Sequence, residues 1–114
     1  MKVPEVSKLS ELNITGPCII IMTKGLYFER QQNGSGSTGR WKASADQVPE
    51  EILIYFRPED KQIATLFFGE VTEVEESDEP GRLTIHFDNS SVVGFTRSNW
   101  SKFAETGSNP VKYL

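Results

Sequence analysis

Apolar residues recur along the chain at the spacing of strands more than of helices. From 82 to 88 the alternation is strict: Leu83, Ile85 and Phe87 fall to one side, and Arg82, Thr84, His86 and Asp88 to the other, as in a half-buried strand. Before it, 65–74 reads as a longer strand of imperfect alternation, with Gly69 placed for a bulge or sharp bend. The acidic link 75–81 contains Pro80-Gly81, a pair that favours a turn because proline presets φ and glycine accepts positive φ. This centre is an expected antiparallel hairpin, followed by a third strand at 91–95 and a short helix.

The rest of the pattern is arranged around it. Val6, Leu9, Leu12 and Ile14 suit one side of a short helix or turn in a lead-in segment, 1–15, which Gly16-Pro17 ends. The continuous run 18–22 predicts a central strand covered on both faces, and 52–56 a second buried strand. Between 23 and 28 either the chain turns or Gly25 bulges a strand that continues through Leu26, Tyr27 and Phe28. The stretch 31–39, QQNGSGSTG, has no apolar residue, so burial cannot offset its ordering entropy and a mobile loop is expected. Residues 57–61 read as a charged turn. Ser98 is placed to cap a helix in which Trp100, Phe103 and Ala104 share a face and Gly107 closes the end; the tail 109–114 suits an edge strand. Five or six strands with one or two short helices make an α+β, β-rich chain, and a small curled antiparallel sheet or pseudo-barrel is the economical architecture, because closure removes exposed edges.

Length and composition narrow the functional classes. At 114 residues, 37% hydrophobic and 25% charged, the chain suits a single soluble globular domain, 1–114, large enough for a core. One cysteine, Cys18, excludes an intrachain disulfide and a multi-cysteine zinc site. No apolar run is long enough for a signal core or a membrane span, so a cytoplasmic location without membrane association is expected. The net charge of −4 argues against non-specific coating of a phosphate backbone, although a local basic patch stays compatible with it. The glycine-rich 31–39 lacks the Gly-Lys-Ser/Thr ending of a nucleotide-binding loop.

The order of a first strand, a tryptophan-bearing loop, strands written ILIYF, LFFGEVTEV and RLTIHF, and a helix carrying tryptophan resembles the PUA-like group that includes the EVE, ASCH and YTH domains, over roughly 19–104. In that group a helix usually follows the first strand; here the glycine-serine segment takes its place. The resemblance implies a small pseudo-barrel that binds nucleic acid, in some members by holding one flipped or modified base between aromatic walls. By position it makes Trp41 a wall and brings Arg40 and Lys42 to phosphate; Tyr27 or Trp100, with Arg97 beside the latter, are the candidates for a second wall.

Plainer roles compete with these. Trp100 stands at helical spacing from Phe103, as a core anchor would, whereas Trp41 has polar neighbours; Tyr27 and Tyr55, read as strand residues, pack by default. A Cys18/His86 nucleophile pair is set aside because Cys18 opens an apolar run and buried cysteines are usually inert. The acidic stretch 70–79 lacks calcium-loop spacing and reads as a solvated hairpin end, or as a surface that mimics nucleic acid or docks on a basic protein partner. The expectation is a non-catalytic binding module without cofactor, associated with nucleic acid; the alternative is an inhibitor or immunity-type protein acting through hairpin 70–79. The sequence leaves the oligomeric state open.

Overall fold

In the computed structural model of the chain, residues 3–114 are described, and the first two residues of the 1–15 lead-in lie outside them. Seven strands form one mixed sheet: β1 (Cys18–Thr23), β2 (Phe28–Arg30), β3 (Gly36–Trp41), β4 (Glu51–Phe56), β5 (Ala64–Glu76), β6 (Leu83–Thr96) and β7 (Val111–Tyr113), in the order β2-β3-β6-β5-β4-β1-β7. All neighbours are antiparallel except β1 and β4, whose register runs from Cys18 opposite Glu51 to Thr23 opposite Phe56. The sheet is therefore mixed and open, not wholly antiparallel and not closed.

Its curl follows from chain length. Parallel neighbours need a long crossover, and here the crossover from β1 to β4 carries β2 and β3, the far end of the sheet. Five strand spacings separate β1 from β2, about 24 Å if the sheet were flat. The chain from Thr23 to Phe28 reaches only about 17 Å when fully extended. The sheet must roll up to make the connection, and Phe28 of β2 accordingly meets Phe56 of β4 with ring centroids 5.1 Å apart.

Rolling gives two cores. Inside the curl, Ile19, Ile21, Ile52, Ile54, Ile85 and Phe87 pack together, with Phe28, Trp41 and Phe67 against them. On the outer face, Cys18, Ile20, Leu53, Tyr55 and Leu66 are covered by α1 (Trp100–Ala104) and by the lead-in, where a 3-10 turn at Leu9–Leu12 buries Leu9 and Val6 is buried just before it. Strands covered on both faces should be continuously apolar, which is why β1 and β4 are written CIIIMT and EILIYF.

Several elements depart from the sequence pattern. The expected strands at 82–88 and 91–95 are one long β6, which turns its corner at Asn89 (φ 53°) while the β5 register slips three times, once between Phe68 and Glu70 at Gly69. The expected loop 31–39 yields to strand at Gly36: β3 pairs with both β2 and β6, and Thr38 is fully buried. The segment supplies no apolar area of its own, but its small residues let backbones approach. A Cβ at Gly36 would strike the Glu29 carbonyl oxygen and lie 2.8 Å from Phe87 Cζ. The helix is capped by Asn99, whose side chain accepts a 3.0 Å hydrogen bond from the Lys102 amide, and it closes at Glu105 in the left-handed region, two residues before Gly107. The tail does add an edge strand, β7, beside β1.

Candidate functional site

The ends of β1 and β4 lie side by side because the two strands are parallel, and the curl brings β3 and the β5–β6 hairpin tip to the same end of the molecule. Three adjoining hollows open there.

The first is built on the turn after β1. Thr23 Oγ1 accepts from the Gly25 amide at 3.0 Å, and the chain leaves the turn through Tyr27, a non-glycine residue at φ 57°. Tyr27 is thus a turn residue, not part of a strand as its neighbours suggested, and the residue is 49% exposed. The guanidinium of Arg40 lies over that ring, 3.9 Å from its centroid, within the range of a cation–π contact. Arg40 also donates to Asp78 Oδ2 at 2.9 Å and lies 3.9 Å from Glu79, which in turn is 3.8 Å from Arg82. Trp41 is half-buried: its indole packs on the inner core and its N–H donates to Thr38 Oγ1 at 3.1 Å. Around these residues is a hollow of about 400 Å³, to which Lys24 and Arg82 also contribute.

The second hollow, about 430 Å³, shares Met22 and Lys24 with the first. Trp100 borders it but is only 7% exposed; its N–H donates to the Asn109 carbonyl at 2.8 Å and its ring meets Tyr55 edge-on at 5.4 Å. The indole is therefore fixed in the outer core and presents no open face. The third hollow, about 650 Å³, shares Arg57 and Pro58 with the second and has Phe56 and Ile63 as its apolar part and Arg57, Lys61 and Arg97 as its cations. Arg57 Nε donates to the Lys61 carbonyl at 3.1 Å, which fixes the side chain, while Arg97 lies 3.4 Å from Glu5.

The structure thus brings Tyr27, Arg40, Trp41, Trp100 and Arg97 around one row of hollows; Lys42, exposed beyond the end of β3, lines none of the three. The sequence pattern missed Lys24, Arg57 and Lys61. Lys24 sits in a turn and the other two in a stretch that also holds Glu59 and Asp60, so nothing local marks them as a cluster.

The other candidate features have local partners. Cys18 is fully buried in β1, with β4 and β5 between it and the β6 strand of His86, so the two form no dyad; burial, reinforced by the Glu51 carboxylate, pushes its thiol up to about 12. His86 pairs with Glu75. Of the acidic stretch, Glu70 accepts from Asn89 Nδ2 at 3.0 Å, and Asp78 and Glu79 are engaged by Arg40 and Arg82. Among the described residues no group of three or more His, Cys, Asp or Glu is placed to hold a metal ion, and no helix is long and apolar enough to cross a membrane. No family model matches the chain, and no curated protein or solved structure matches it.

Proposed function

We propose that the chain is a non-catalytic binding module that holds an unpaired base of a nucleic acid in the hollow of Tyr27, Arg40 and Trp41. The observation that carries this reading is the pairing of Tyr27 with Arg40: an exposed ring under a guanidinium, at the mouth of a hollow about 400 Å³ in volume, with an indole as another wall. A planar apolar guest with a negatively charged neighbour suits such a lining, since bases stack on aromatic faces and guanidinium planes while phosphates seek the cations. Tyr27 holds its ring there from a left-handed backbone, a conformation uncommon for a bulky residue and one that clusters at ligand sites.

The test is a titration of mixed-sequence single-stranded DNA and RNA at two salt concentrations. Tyr27→Asn removes the ring yet keeps a residue that tolerates the left-handed region; Trp41→Leu removes the indole and keeps an apolar filler. Binding that weakens about tenfold with either variant, in proteins that remain folded at the assay temperature, supports the reading. Affinity indifferent to both would refute it. The alternative, hairpin 70–79 docking on a basic protein, has less support because Glu75, Asp78 and Glu79 already face His86, Arg40 and Arg82. Retention of a protein partner that is lost in Glu73→Lys/Glu76→Lys, with no nucleic-acid binding, would favour it.

A further inference from the structure

The three hollows form a row with shared walls, and the charge of the molecule is gathered along it. Lys24, Arg40, Arg57, Lys61, Arg82 and Arg97 line the row, half of the twelve Lys and Arg in the chain; the lining acids are Glu59 and Glu79, and Asp78 and Glu5 pair with Arg40 and Arg97 at its edge. The protein as a whole carries a net charge of −4. A cationic track on an acidic protein is therefore a local arrangement and not a by-product of composition.

We infer, building on the base-holding reading above, that the ligand is a single strand several nucleotides long whose phosphates run from Arg40 past Lys24 to Arg57 and Lys61. Two observations favour a strand over a mononucleotide or a duplex. Arg57 and Lys61 form no ion pair with a carboxylate among the described residues, whereas Lys24, Arg40, Arg82 and Arg97 each do, so two cations that line the row outside the first hollow have no acidic partner. The floor at that end is apolar as well, with Ile63 40% exposed beside Phe56. A duplex keeps its base faces stacked on one another and leaves that apolar surface unmatched, while an unpaired strand presents base faces and phosphates together. A mononucleotide filling the first hollow would leave Arg57 and Lys61 without function.

The experiment compares wild type with Arg57→Gln/Lys61→Gln, both residues being at the surface, and with Tyr27→Asn. Each is titrated with mixed-sequence single strands of about twelve nucleotides, DNA and RNA, and with the corresponding mononucleotides. We expect the charge variant to bind the strands roughly tenfold more weakly at low salt, with the slope of log K against log salt reduced by about 1.4, and to bind mononucleotides as wild type does. Tyr27→Asn should weaken both. If the charge variant matches wild type on strands while Tyr27→Asn loses affinity, the extended track is wrong and the base-holding hollow stands. Wild type binding no strand at all would overturn both. The RNA and DNA arms identify which sugar the track accepts.

Discussion

The guanidinium of Arg40 lies 3.9 Å from the ring centroid of Tyr27 and also donates to the carboxylate of Asp78 at 2.9 Å. One residue thus joins three separate parts of the chain: the turn after β1, the end of β3 and the tip of the β5–β6 hairpin. Hairpin acids occupy the cation that the proposed ligand needs.

Asp78→Asn should free Arg40 for phosphate. Asp78 is 76% exposed, so the pair contributes little to stability and the thermal midpoint should hold. Strand affinity should rise about threefold at low salt and converge on wild type at high salt, where screening removes the competition. A fall in affinity would mean that Asp78 positions Arg40 and does not compete for it.

Trp100 should matter for stability and Trp41 for binding. Trp100→Ala removes a buried ring packed on Tyr55 and Phe103 and orphans the Asn109 carbonyl, so urea denaturation should show a loss of about 3–5 kcal/mol. Trp100→Phe should cost less and leaves Trp41 as the sole indole, whose fluorescence should respond to added single strands if it walls the hollow.

Cys18 gives a pH dependence of known sign. Its thiol is raised in the folded protein to about 12, first by burial and then by Glu51. The unfolded thiol ionises near its ordinary value of about 8.5. Below that value the contribution to stability is fully present; above it the unfolded chain sheds a proton that the folded one keeps, so stability declines as pH rises toward about 12. Relative to Cys18→Ala, wild type should lose about 2 kcal/mol between about pH 8 and about pH 10, read from urea midpoints. A thiol reagent should label Cys18 only as fast as the protein opens.

Gly36→Ala should disrupt the β2–β3 hairpin. The added methyl meets the Glu29 backbone oxygen, which cannot move without breaking the strand pair, and it crowds Phe87 in the inner core; a loss of roughly 1–3 kcal/mol or more is expected. Gly107→Ala, where a Cβ meets nothing within 4 Å, should stay within about 0.5 kcal/mol and serves as the control.

Much of the architecture is written locally. The strict alternation of Leu83, Ile85 and Phe87 sends two of the three into the inner core, and the runs at 18–22 and 52–56 are strands buried on both faces because each has a core on either side. The short helix carrying Trp100 and Phe103 also follows from spacing, although its ends depend on which side chain reaches a free amide: Asn99 does so where Ser98 was expected.

What the pattern could not carry was set by residues far apart in the chain. The stretch 31–39 lacks apolar side chains, yet Gly36–Trp41 is a strand because β2 and β6 lend it backbone partners and β6 a hydrophobic neighbour. Tyr27 left its strand because the chain has only a few residues in which to turn from β1 to β2. Composition and periodicity, acting over one or two turns of chain, thus determined the strands, the two-faced cores and the absence of a cysteine framework. The parallel pairing of β1 with β4, the roll of the sheet and the gathering of Lys24, Arg57 and Lys61 beside Tyr27 and Arg40 were decided only in three dimensions. The physical reason is that a short link must join opposite ends of one sheet, and nothing in the local sequence encodes a distance the whole sheet has to close.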